Sequence, residues 1–255
     1  MLLVATFFSV KVLEALYRYS FTIRFGFFLL IKANTNTILN YMKKTSLLIL
    51  MLTAFGSFAQ NSEKMQWFNQ PEKWKADSKS LSMFVTPKTD YWRITHYGFT
   101  VDDGPFYYTT VGGEFEAKVK ITGEYKTRFD QTGLMLRIDE KTWIKTGVEF
   151  VDGNMNISSV VTNEKSDWSV IELTEKPKSV WIKVVRRLDA VEIFYSLDDK
   201  KYTMARLASF PDNKPVMIGM TAASPDGNGF NAVFEGFEVK HLPDARRLKW
   251  LENNK

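Results

Sequence analysis

The chain has 255 residues, 45% hydrophobic and 25% charged, which suits one large all-β domain or two small ones and argues against wholesale disorder. The absence of cysteine rules out disulfides, thiol catalysis, Cys-ligated metal and a lipoprotein anchor. The net charge of +5 is concentrated at one end: removing the six Lys/Arg and one acid of residues 1–59 from totals of 34 and 29 leaves 28 of each. No basic stripe remains for a phosphate backbone, so nucleic acid is excluded as a partner.

Residues 1–41 are apolar and aromatic but interrupted by Lys11, Glu14, Arg18 and Arg24. They read as an upstream extension ahead of a true start at Met42. Met42-Lys43-Lys44, the apolar run Thr45–Phe55 and the small-residue exit ending at Ala59 form a signal peptide over 42–59. Its apolar run falls short of the roughly 20 residues that span a bilayer. Export to the periplasm or the medium is expected, with no membrane anchor in the mature form.

From Met65 the pattern turns to short strands and turns. MQWFNQPEKWKAD reads as an opening strand and loop around Pro71, and Leu81–Thr86 as a strand that Pro87 ends. Thr89–Phe99 reads as a loop or bent strand leading into the Asp102-Asp103-Gly104-Pro105 turn, before a strand over Phe106–Val111. Phe115–Ile121 alternates cleanly, with Phe115, Ala117, Val119 and Ile121 inward and Glu116, Lys118 and Lys120 outward. Val180–Val185 and Val191–Ser196 form a hairpin about Leu188-Asp189, and an Asp-Asp-Lys turn follows in Ser196–Thr203. Val216–Ala223 is apolar enough for a central strand, and Phe230–Lys240 closes the domain. Asp244 caps a short C-terminal helix or tail over 244–255. About a dozen strands at this spacing predict an all-β, two-sheet antiparallel sandwich of the jelly-roll kind, one domain over 60–243.

The densest polar patterning lies between Phe129 and Val170. Alternation in Trp143–Phe150 places Trp143, Lys145, Gly147 and Glu149 on one face and Ile144, Thr146, Val148 and Phe150 on the core side. Met135 and Arg137 on the preceding strand join the first face, as do Asn156, Ser158 and Thr162 on the following one. Asp130 and Gln131 stand at one edge of this surface, with Asp167, Trp168 and Ser169 at the other. The plain alternative is a solvated sheet with cross-strand ion pairs of about 0.2–1 kcal/mol each. Tryptophans beside amides and carboxylates suit a polyhydroxylated ligand, whose apolar faces stack while its hydroxyls take hydrogen bonds.

The segments TDYWRITHYGF, FDQTGLMLRIDEKTWIKTGVEF and SSVVTNEKSDWS resemble the DUF1349 family, related to the yeast "regulation of enolase" protein and built on a concanavalin A-like lectin/glucanase sandwich. The resemblance spans about residues 65–240 and implies a concave face on the central strands. It also places Arg93, His96 and Tyr97 at that face, which spacing alone does not. It brings no catalytic assignment.

The expected function is binding rather than catalysis: an exported, lectin-like protein, monomer or homodimer, holding a glycan or small polar ligand. The expected ligand set is Arg93, His96, Tyr97, Asp130, Gln131, Arg137, Trp143, Lys145, Glu149, Thr162, Asp167 and Trp168. The alternative is a glycoside hydrolase or polysaccharide lyase using Glu149 with Asp130 or another nearby Asp, or with His96. Glucanases of this fold usually carry clustered carboxylates on one strand, whereas KTGVEF offers a lone glutamate. No cofactor and no metal are expected, because Asp102-Asp103-Gly104 and Asp226-Gly227-Asn228 read as turns without EF-hand spacing.

Overall fold

The structure is a computed structural model that describes residues 65–212 and 214–254. The extension over 1–41 and the signal peptide over 42–59 lie outside the described residues. Short strands open the domain: β1 (Gln66–Phe68), β2 (Trp74–Ala76), β3 (Ser80–Phe84), β4 (Tyr91–Arg93), β5 (Thr100–Asp102) and β6 (Phe106–Val111). The long alternating runs follow as β7 (Phe115–Gly123), β8 (Gln131–Asp139), β9 (Thr142–Val151), β10 (Asn154–Asn163) and β11 (Lys165–Glu172). The chain continues through β12 (Val180–Arg187), β13 (Ala190–Ser196), β14 (Thr203–Ser209), β15 (Val216–Ala223) and β16 (Asn231–His241) to helix α1 (Ala245–Asn253).

Two seven-stranded antiparallel sheets result, β1-β6-β15-β8-β9-β10-β11 and β14-β13-β12-β7-β16-β3-β2, with β4 and β5 forming a separate ribbon. This is the expected all-β sandwich. Period-two alternation explains it directly: Phe115, Ala117, Val119 and Ile121 of β7 pack with Leu134, Leu136, Ile144 and Val148 from the first sheet in one core. Burying each large aliphatic side chain there contributes about 1.5–3 kcal/mol.

The described residues hold more strands than the sequence suggested, and the additions are short or at edges. Pro71 separates β1 from β2 and sends them to different sheets. β14 escapes a pattern reading because Met204 and Leu207 stay exposed at the sheet margin. The segment Thr89–Phe99, expected as a loop or bent strand, contains β4 and the whole tip of the β4–β5 hairpin. The tip turns through left-handed backbone at Ile94, His96 and Gly98. At the far end, the Asp244 carboxylate accepts from the Arg246 and Arg247 amides and caps α1.

Candidate functional site

Strand register stacks the outward side chains of the first sheet into rungs. One runs Met217, Arg137, Trp143, Thr162, Ser166, and the next Gly219, Met135, Lys145, Val160, Trp168. A third runs Thr221, Gly133, Gly147, Ser158, Val170, and a fourth Ala223, Gln131, Glu149, Asn156, Glu172. These rungs meet two different fates.

The β4–β5 hairpin roofs the first two. Tyr91, Trp92, Phe106, Met135, Trp143 and Val160 form a second apolar cluster on this face, with Tyr91 edge-on to Trp143 at 6.1 Å. Two ion pairs pin the hairpin down. Asp102 forks onto both Arg137 terminal nitrogens at 2.6 Å, and Lys145 Nζ reaches Asp90 Oδ1 at 3.1 Å. Arg137 also stacks over Phe68 at 4.7 Å, and the Arg93 amide donates to Ser166 Oγ at 2.9 Å. Pairing lets these charges tolerate burial, since an unpaired charge here would cost several kcal/mol.

The other two rungs surround a small opening lined by Gln131, Gly133, Lys145, Gly147, Ser158 and Thr221. Gly133 and Gly147 oppose each other at its floor. A Cβ at Gly147 would lie 1.9 Å from the Thr132 carbonyl oxygen, and one at Gly133 2.0 Å from that of Thr146. Only glycine fits either place, and the pair leaves the floor bare of side chains.

Beside the pocket, the Trp168 indole N–H points at both Glu149 Oε2 (2.9 Å) and Ser158 Oγ (3.0 Å). Phe129 meets the Trp168 ring edge-on at 6.2 Å, so the two aromatics wall off the β11 side. Gln131 Nε2 lies 3.4 Å from Asp90 Oδ1 and 3.5 Å from Glu149 Oε1, linking the hairpin base to the pocket rim. Burial pushes the Glu149 carboxyl above the usual carboxylate range. Lys145 and the hydrogen bonds from Ser158 and Trp168 pull the other way, and Asp90 adds to the rise.

The expected residues therefore part company. Gln131 and Lys145 line the pocket, and Glu149 and Trp168 stand against it. Arg137, Trp143 and Thr162 are not on an open surface as the alternation suggested: the hairpin covers them, and Thr162 Oγ1 bonds Ser166 Oγ at 2.9 Å. Asp167 occupies the core-facing rung of the edge strand β11, where it pairs with Arg206 of the second sheet at 3.0 Å. Asp130 is buried as a staple, accepting from the Lys126 and Thr127 amides and from Ser224 Oγ. Arg93 is tied to the β10–β11 turn through the Glu164 carbonyl. His96 and Tyr97 sit at the exposed hairpin tip, outside the pocket lining. Sequence reasoning missed Asp90, Tyr91, Phe129 and Thr221. The paired strand glycines were the available signal, because glycine inside a strand marks close approach of a backbone or a ligand. Among the described residues, no group of three or more His, Cys, Asp or Glu could hold a metal.

The fold defines a two-sheet antiparallel β-sandwich, one face of which is partly roofed by the β4–β5 hairpin. The family model described as "Protein of unknown function (DUF1349)" matches residues 67–242, and the chain belongs to that family. It is 36% identical over 183 residues to "Regulation of enolase protein 1" of Saccharomyces cerevisiae, spanning 71% of this chain and 92% of the yeast protein. A solved structure titled as a functionally unknown protein from the same yeast superposes with a TM-score of 0.68 at 34% identity, covering 70% of this chain and 97% of that one. A GH43 protein from Bacillus licheniformis superposes at 0.56 with 15% identity. That match covers 70% of this chain and 37% of the Bacillus chain, and it speaks to fold alone.

Proposed function

We propose that the protein is an exported, lectin-like binder that holds a carbohydrate or similar polar ligand in the concave-face pocket. The observation that carries the reading is the convergence of Gln131, Lys145, Ser158 and Thr221 on a floor kept bare by Gly133 and Gly147. Hydroxyls, an amide and an ammonium at one small opening suit a ligand rich in hydroxyl groups. Export rests on the basic, apolar and small-residue order of 42–59, and N-terminal sequencing of secreted protein tests it. Binding is tested by calorimetry against a saccharide panel. Gln131→Ala and Ser158→Ala should each weaken the bound sugar about tenfold while the melting temperature stays within a few degrees. Unchanged affinity in both variants would refute the site.

A second reading, glycoside hydrolysis, has one observation behind it. The Asp90 and Glu149 carboxylates both approach the Gln131 amide, giving the lone strand glutamate a partner from the hairpin. Glu149, whose carboxyl burial raises above the usual carboxylate range, would act as the acid, with Asp90 as the base or nucleophile. New reducing ends formed by the wild type and abolished by Glu149→Gln would favour it over simple binding.

A further inference from the structure

We infer that α1 is a peripheral membrane contact, laying Leu248, Trp250 and Leu251 on an anionic lipid surface. The inference is independent of the pocket and its ligand. Only the first turn of α1 is fastened to the sandwich. Asp244 caps it, the Ala245 amide donates to Glu114 Oε1 at 3.2 Å, and Arg246 pairs with Asp212 at 2.6 Å. Arg187 reaches the other oxygen of Glu114 at 3.0 Å, so the anchoring carboxylate is itself fixed. No residue of α1 is buried, and Leu248, Trp250 and Leu251 are 47%, 63% and 41% exposed.

A helix of nine residues is shorter than the roughly 12–15 that sustain one in water unaided, so an apolar face has to pack against something. The sandwich does not provide it. At about 100° per residue, Leu248 and Leu251 lie on the side opposite Arg246, whose ion pair turns it toward the domain. The apolar face therefore looks away from the protein.

Charge selects what covers it. Among the described residues, Arg247 and Lys249 make no ion pair, while Arg246 is matched by Asp212. Asp244 is engaged in capping, which leaves Glu252 as the one free carboxylate of the helix. Unmatched cations beside an exposed tryptophan and two leucines suit a lipid surface, where the apolar groups enter the interface and the cationic heads meet phosphates. A second copy fits poorly, because a two-fold contact through α1 would set Arg247 and Lys249 against their own symmetry mates.

The test is co-sedimentation with vesicles of phosphatidylcholine alone or of equal parts phosphatidylcholine and phosphatidylglycerol. Residues 63–255 form one compact unit that holds both sheets and α1, so the chain from Glu63 is used, free of the apolar N-terminal segments. The expected result is binding to the anionic vesicles that is lost at about 1 M salt, where the screening length is about 3 Å. Arg247→Gln/Lys249→Gln should weaken it about thirtyfold at low salt. Leu248→Ala/Trp250→Ala/Leu251→Ala should weaken it about tenfold or more while keeping good helix formers in α1. Both variants should melt with the wild type, since neither removes a buried side chain. Absence of binding to anionic vesicles, equal binding to neutral ones, or unchanged binding by either variant would overturn the inference. So would a wild-type dimer in gel filtration that the alanine variant converts to monomer, which would give the face to a second copy.

Discussion

Two sheet faces of this protein look alike as sequence and differ completely as structure. On the outer face of the second sheet, Lys118 pairs with Asp199 and Glu238, Lys120 with Glu235, and the Lys118 ammonium lies over Trp181. On the hairpin-covered face of the first sheet, Lys145 pairs with Asp90, Arg137 with Asp102, and Trp143 lies directly opposite Arg137. Both present cations, carboxylates and a tryptophan at alternate strand positions. The outer carboxylates of Glu235 and Glu238 are about half exposed, while the concave-face cations are almost fully enclosed. Alternation says which way a side chain points. Only tertiary structure says what covers it, and that decides whether an ion pair is incidental or essential.

The largest effect should come from the floor of the concave face. Gly147→Ala places a methyl against the Thr132 carbonyl and the Gly133 Cα of the neighbouring strand, where nothing but backbone could yield. Overpacking of this kind costs about 3 kcal/mol or more, enough to lower the melting temperature by about 10 °C or to prevent folding. No comparably tight approach exists at Gly236 on the second sheet, where the nearest atom to an added Cβ is 3.6 Å away. Its positive φ of 63° makes alanine there a mild defect of about 1 kcal/mol. Equal melting temperatures for the two variants would contradict the close contact at the floor.

Next in size is the roof. Asp102→Ala leaves Arg137 enclosed without its carboxylate and should cost about 3 kcal/mol. The double variant Asp102→Ala/Arg137→Met removes the stranded charge and should recover most of that loss. If it recovers nothing, the hairpin is held by apolar packing alone and the fork is incidental.

These long-range pins also show where sequence reading stops. The alternation of Phe115–Ile121 and of Trp143–Phe150 is local information, and β7 and β9 form with the expected faces. Gln131, Lys145 and Glu149 fall on one face for the same reason, so half of the pocket was legible. The roof was not. β4 and β5 have three residues each, too few to show a period, and they flank a six-residue tip with left-handed backbone. The contact that matters, Asp90 with Lys145, joins residues 55 apart in sequence. Reading Trp143 as a stacking platform followed from not seeing that Tyr91 would cover it.

A smaller and pH-dependent effect separates the faces through Glu149. Burial raises its carboxyl above the usual value, so the folded chain holds that proton more tightly than the unfolded chain does. Raising the pH from the ordinary glutamate value through the raised one strips the proton and removes stability from the wild type. Glu149→Gln has no proton to lose. Melting curves of the two proteins should nearly coincide near pH 4, and the variant should pull ahead by a few degrees toward pH 8, since the other titrations are shared and cancel in the difference. A gap of the opposite sign at pH 8 would mean that the attraction of Lys145 outweighs burial.

The smallest effect belongs to the outer face. Glu235→Ala and Glu238→Ala break pairs whose carboxylates are 49% and 60% exposed, and water replaces the partner at little cost. Each should change stability by less than about 1 kcal/mol, and less again at high salt, where exposed pairs are screened. The contrast with Asp102→Ala is then a measure of cover rather than of charge, because both experiments delete one carboxylate from one cation on one strand face. If removing Glu238 proved as costly as removing Asp102, the outer pairs with Lys118 and Trp181 would have to be counted as a built site in their own right, and enclosure by the hairpin would no longer be what distinguishes the concave face.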